Sequence, residues 1–143
     1  MPDLDCYLHR CLYFTANRLC RAIGRLADEA FMPAGLSPSH AFLLMLAIET
    51  PGIGPKSLSD ALHLAPSTVT RFIDALVGRG LIERRAQGKT VSVFPTEQGL
   101  AMQETIAAAW RRLHERYCAI LGAQAGDDLA RRIDLAVGQI EGE

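Results

Sequence analysis

Four residues within five positions, Ser67, Thr68, Thr70 and Arg71, put chemistry-bearing side chains on a stretch whose other residues are mostly apolar. They open the segment PSTVTRFIDALVG, where Val69, Phe72, Ile73, Leu76 and Val77 recur at helical spacing. Short hydroxyl side chains let a second surface approach a helix closely, and each offers a donor and an acceptor. An arginine beside them can present paired N–H groups to a phosphate or to a guanine edge. The start of a helix adds partial positive charge of its own. This combination suits a nucleic acid. Catalytic patterns are missing: there is no Gly-x-Ser-x-Gly, no Walker-type loop and no carboxylate pair framed for acid–base work. The sequence therefore predicts that the chain is not an enzyme, a Cys/His thiol enzyme being the one version to set against that.

The elements that must position these residues follow from periodicity and punctuation. Leu8, Leu12, Thr15, Leu19, Ile23, Leu26 and Ala30 predict a first helix over about Leu4 to Ala30, which Met32-Pro33-Ala34-Gly35 ends. Ser37-Pro38 reads as cap and first position of a second helix reaching Glu49. Ser57-Leu58-Ser59-Asp60 fits a capping box and predicts a short helix to about Leu64. Pro66 starts the next helix, which Gly78-Arg79-Gly80 stops. The period then becomes two. Leu81–Arg84 and Thr90–Phe94 predict a hairpin about a turn at Ala86-Gln87-Gly88-Lys89. A long helix is expected over Thr96 to Leu121, with Ile106, Trp110, Leu113, Tyr117 and Ile120 on one seam. A last helix is expected after Gly126-Asp127-Asp128.

Two short helices, a tight turn and a two-stranded hairpin make a winged helix-turn-helix. The predicted fold class is mainly α, with a small β-hairpin wing and long N- and C-terminal dimerisation helices. The expected division is a dimerisation region at 1–35 and 97–143 around a DNA-binding region at 36–96. In such a fold the second helix of the pair enters the major groove by its N-terminal end. The predicted DNA contacts are Lys56, Ser67, Thr68, Thr70, Arg71, Arg84, Arg85 and Lys89.

Charge agrees with this placement. The chain has 143 residues, 49% of them apolar, and a net charge of −1. The stretch Gly54–Thr96 holds six basic and three acidic residues, against nine and thirteen in the flanks, so a +3 centre sits between flanks totalling −4. A basic middle suits a polyanion. No apolar run reaches the roughly 18 residues that span a bilayer, and no charged-then-apolar leader opens the sequence. With four cysteines that show no paired framework, Cys6, Cys11, Cys20 and Cys118, the expectation is a reducing cytoplasm and no membrane partner.

The order of elements resembles that of the MarR family of bacterial transcriptional regulators. The segments LSDALHLAPSTVTRFIDALVGRGLIERR and PTEQG carry the resemblance, with Pro95 where the family's Leu-Thr-x-x-Gly has leucine. The resemblance implies a homodimer that binds a pseudo-palindromic operator on double-stranded DNA, as a repressor that an effector releases. The wing departs from the family's Asp-x-Arg, having Gln87 and Lys89 about Gly88. Lysine keeps the charge and loses the planar fork. The expected wing contact is therefore with phosphate. A rival reading takes Thr50-Pro51-Gly52-Ile53-Gly54-Pro55-Lys56-Ser57 as the phosphate-holding hairpin of a helix-hairpin-helix.

Three sensing readings remain open. In the family's hydroperoxide-sensing branch a cysteine early in the first helix reacts, and Cys11 falls near that place; a small core cysteine is the alternative. A small aromatic anion could be lined by Arg18, Phe31, His40 and Trp110. A metal is the third: His114 and Cys118 lie four apart on one helical face and His40 on another helix, without a strong local motif. No metal and no cofactor are predicted.

Overall fold

The computed structural model describes residues 3–142, the Gln87 side chain excepted. The chain folds as α1 (Leu4–Arg10), α2 (Leu12–Phe31), a 3₁₀ turn at Met32–Ala34, α3 (Pro38–Glu49), α4 (Pro55–Leu62), α5 (Pro66–Gly78), β1 (Ile82–Gln87), β2 (Thr90–Pro95), α6 (Glu97–Ala101), α7 (Gln103–Leu121) and α8 (Ala123–Glu141). It is mainly helical, with one two-stranded antiparallel sheet among the described residues. Two compact units arise, Phe31–Ala109 and Met1–Ala30 with Trp110–Glu143.

The unit spanning 31–109 holds nearly all of the core. Leu43, Leu44, Leu58, Val69, Leu76, Val93 and Ile106 are fully buried there, with Ile73 and Ile82 at 2% exposure. The Ser37 hydroxyl caps α3 by accepting from the His40 amide. The wing pairs Ile82 with Pro95 through to Gln87 with Thr90, so only Gly88 and Lys89 turn the hairpin. Gly88 has φ +64°, which glycine adopts without strain. The strands are thus longer than the sequence predicts, and Ala86 and Gln87 belong to β1.

The unit formed by 1–30 and 110–143 is different. Its helices are tied by Arg112, whose Nη2 donates to the Ala30 carbonyl at 2.9 Å, and by an Arg116–Glu29 ion pair at 2.6 Å. Among the described residues, thirteen of the sixteen large apolar side chains that are exposed lie in this unit, Leu12, Ile133 and Ile140 included. Ala30 is its one buried apolar residue among those described.

Four expected boundaries are corrected. The first helix is broken at Cys11, which is extended at ψ 120°. The Thr15 hydroxyl donates back to the Cys11 carbonyl, a local competition that bends helices. The long helix after the wing is interrupted at Met102, whose amide bonds Gly99 three residues back. The last helix begins at Ala123, behind Gly122 at φ +97°, so Gly126 and Asp127 lie inside it. The capping box at Ser57 does not form: Pro55 starts α4 two residues earlier, behind Gly54.

Candidate nucleic-acid interface

Helices α4 and α5 are joined by His63, Leu64 and Ala65. His63 takes the left-handed conformation at φ 53°. Ser59, nearly buried, donates its hydroxyl to the Leu64 carbonyl at 2.5 Å and so fixes the turn. Sequence reasoning gave Ser59 only to a capping box and missed this role.

The turn leaves the start of α5 open. Ala65 supplies no side-chain cap, and Pro66 sits in the first turn without an N–H of its own. The backbone N–H groups of the first turn have no partner inside a helix, so those of Ser67 and Thr68 remain available to an anion. Ser67, Thr70 and Arg71 are exposed and Thr68 is half-buried, while Val69, Ile73 and Leu76 anchor the opposite face. The Thr70 hydroxyl is committed to the Pro66 carbonyl at 3.0 Å. Arg71 reaches the Thr68 hydroxyl through Nη2 at 3.4 Å, a long bond that leaves the guanidinium facing solvent.

The other basic residues divide into two groups. Arg84 is paired with Asp74. Arg85 donates to Glu83 at 2.9 and 2.6 Å and lies over the Phe94 ring at 4.0 Å. Lys56 and Lys89 are exposed and form no ion pair among the described residues. Exposed ion pairs are worth only about 0–1 kcal/mol, so a phosphate can draw Arg84 or Arg85 from its carboxylate. Arg79 is bound to the Gly35 carbonyl instead.

The hairpin alternative at Thr50–Ser57 loses its chemistry here. The Gly52 amide donates to the Val93 carbonyl at 2.9 Å and the Ile53 amide to Thr50 at 3.1 Å. The Ile53 carbonyl in turn accepts from Val93 in β2, so one of these amides is held by the wing and the other by the Thr50 turn, and neither is offered to a phosphate.

The five effector candidates fall on both units. Cys11 is half-buried at the α1–α2 break, Arg18 is exposed on α2, and Trp110 is 52% exposed. Phe31 is buried, its ring 6.4 Å from that of Phe42. His40 stacks on Phe72 at 4.2 Å and contacts the Ser37 hydroxyl through Nδ1. Burial, with the Arg79 charge second, holds the His40 imidazole below its usual range. Of the metal candidates, His114 and Cys118 come together at 3.5 Å, and His40 is engaged elsewhere. The residue that joins them is Asp127, 2.8 Å from His114. Only a register that starts the last helix at Ala123 makes Asp127 visible as a partner.

No curated protein matches the chain. Residues 36–88 match the model of the MarR family. Among solved structures, the chain resembles the CouR repressor bound to a 23-mer DNA duplex, at 21% identity, covering 92% of this chain and 95% of that one with a TM-score of 0.83. It also resembles CouR from Rhodococcus jostii RHA1 bound to p-coumaroyl-CoA, at 22% identity, 93% of each chain and a TM-score of 0.75. The PcaV regulator from Streptomyces coelicolor, in complex with its natural ligand, is similar at 23% identity, covering 99% and 98% with a TM-score of 0.79. At these identities the likeness is one of fold. Among the described residues, no single helix is long and apolar enough to cross a membrane. Residues 36–88 thus match the MarR family over the winged helix-turn-helix, within a chain whose fold is similar to that of these regulators.

Proposed function

We propose that the chain is a homodimeric, effector-responsive transcriptional regulator, acting as a repressor, in the cytoplasm and without catalytic activity. The observation that carries this reading is the open start of α5. Its uncapped amides, Ser67, Thr68 and the Arg71 guanidinium lie on the solvent side of a helix whose other side is locked into the core. The major groove admits a helix presented in this way. Arg71 reads base edges, the α5 amides and Lys56 hold phosphates, and Lys89 at the hairpin turn reaches a phosphate beside them. Arg84 and Arg85 join when phosphate displaces their carboxylates.

The dimer follows from the second unit, which has many apolar side chains and almost no core. A second copy of the same surface buries them under two-fold symmetry. The proposed effector is a small aromatic acid or its thioester, in line with the ligand on CouR, or an oxidant acting at Cys11. Fluorescence anisotropy with a labelled duplex taken from beside the gene tests the reading. Binding that survives excess random DNA is expected. Equal competition by random DNA would contradict sequence-specific regulation.

A further inference from the structure

The joint between α7 and α8 brings three different metal-ligating side chains to one point. His114 and Cys118, one turn apart, project from the same face of α7. Gly122, at φ +97°, reverses the chain, and the first turns of α8 bring Asp127 back against them. The His114 Nε2 lies 2.8 Å from an Asp127 carboxylate oxygen and 3.5 Å from the Cys118 sulfur, and all three donor atoms lie within 4.8 Å of one another.

One feature of this geometry separates a ligand set from a proton relay. In a Cys–His–Asp relay the thiol and the carboxylate sit on opposite ring nitrogens, one taking the proton while the other orients the ring. Here both face the same nitrogen. A single Nε2 can hold one proton, and so can serve only one of the two at a time. Three lone-pair donors converging on a point are satisfied together by a cation.

The distances fit such a cation. Zinc bonds sulfur at about 2.3 Å and imidazole nitrogen at about 2.0–2.1 Å, so a tetrahedral ion spaces those atoms about 3.5 Å apart. That is the separation between His114 and Cys118. The same geometry asks for about 3.4 Å between nitrogen and carboxylate oxygen, so Asp127 backs away by roughly half an ångström.

The surroundings are built to allow this. Gly126, buried beside Asp127, admits the sulfur: a Cβ there would lie 3.3 Å from the Cys118 Sγ and 3.2 Å from the Tyr117 ring. Tyr117 meets the His114 ring edge-on, with centroids 5.2 Å apart, and holds its orientation. The His114 and Asp127 side chains are 46% and 55% exposed, which leaves an ion a way in and a fourth position for water.

We propose that His114, Cys118 and Asp127 form a binding site for Zn²⁺, with spacing His-x3-Cys-x8-Asp. Thiolate and carboxylate together neutralise the ion. Binding releases the Cys118 thiol proton to solvent, and the His114 ring carries its remaining proton on Nδ1 so that Nε2 is free to ligate. Affinity therefore rises with pH. The site is independent of the DNA reading, since it would bind metal in a chain with no operator.

The test is titration of the reduced full-length protein with Co²⁺, which reports tetrahedral thiolate ligation in its absorption spectrum. One Co²⁺ per chain is expected, with a thiolate-to-cobalt band in the near ultraviolet and intense visible bands, both removed by Zn²⁺. Cys118→Ala should abolish the thiolate band. His114→Ala and Asp127→Ala should each weaken binding at least about tenfold. A variant with Cys6, Cys11 and Cys20 all changed to Ala should keep the band, and it decides the matter if Cys118→Ala does not fold. Absence of the band at stoichiometric Co²⁺, its persistence in Cys118→Ala, or its loss in the triple variant would overturn the site.

Discussion

Gly99 packs so closely under Leu81 that a Cβ placed on it would lie 2.0 Å from the Leu81 carbonyl oxygen. The same carbonyl accepts the Thr96 amide at 3.1 Å, and the Thr96 hydroxyl accepts from Gly99 at 3.1 Å while donating to Gly80 at 2.6 Å. The Thr-x-x-Gly pattern after the wing is thus a physical clamp. Threonine caps α6 and grips the turn between α5 and β1, and only glycine lets the backbones meet. Gly99→Ala is expected to cost roughly 3 kcal/mol by urea unfolding, as overpacking against a backbone atom does. Gly24→Ala, inside α2 with nothing within 4 Å of its Cβ position, should gain up to about 1 kcal/mol. Equal effects at the two sites would contradict the clamp.

The dimer is expected to bury more than about 2,000 Å² in total, the range of obligate pairs. Leu8, Leu12, Leu129, Ile133 and Ile140 are the interface candidates. Leu12 is 67% and Ile140 75% exposed in the single chain, which an aqueous monomer has no reason to tolerate together. Sedimentation at micromolar concentration should give twice the chain mass, and Ile133→Glu with Ile140→Glu should shift it towards one. A wild-type monomer would contradict this.

Stability should depend on pH through His40. Its folded-state pKa is lowered, first by burial and then by Arg79. The fold therefore favours the neutral ring, and a neutral ring can accept the Ser37 hydroxyl through Nδ1. Below pH 6.5 the unfolded chain takes up a proton that the folded chain resists. The contribution is fully present above pH 6.5 and is lost as pH falls from there through the folded pKa. Melting temperatures of wild type should drop more than those of His40→Gln between about pH 7.5 and 5. Parallel curves would remove His40 from the account.

Cys11 carries the oxidation prediction. It sits where α1 and α2 separate, and its carbonyl holds the Thr15 amide and hydroxyl. Attack of the thiolate on a hydroperoxide yields the sulfenic acid and an alcohol, adding polar bulk at that break. One equivalent of cumene hydroperoxide should weaken operator binding by wild type and leave Cys11→Ser unaffected. If both respond alike, a non-covalent effector takes its place.

The sequence was most legible where local signals agree. Ser37-Pro38 sets the start of α3, and Pro66 with Gly78 brackets α5, because caps and prolines act within one turn. The break at Cys11 was hidden because Leu8, Leu12 and Thr15 keep helical spacing across it. Periodicity records which face is apolar, and a single extended residue barely disturbs it. The partner of Arg84 was also out of reach. Asp74 lies ten residues from Arg84 and meets it only once α5 packs against β1. Arg84 was therefore expected as an open DNA contact and is found paired; Arg85, expected likewise, pairs with Glu83 two residues back on its own strand. Asp127 was missed for a related reason: starting the last helix after Asp128 places it in a loop, facing nothing.

The most direct measurement is selection of bound sequences from a random duplex library by wild type, Arg71→Ala and Lys89→Ala. Wild type should enrich a palindromic motif with half-sites centred about 10 base pairs apart, one turn of DNA. Arg71→Ala should lose preference at one position per half-site, at about 1–3 kcal/mol. Lys89→Ala should keep the motif, bind all DNA more weakly, and flatten the salt dependence by about one unit for each phosphate it no longer neutralises. Enrichment of no motif by wild type, or an unchanged motif with Arg71→Ala, would contradict the assignment of the α5 N-terminus as the part that reads DNA.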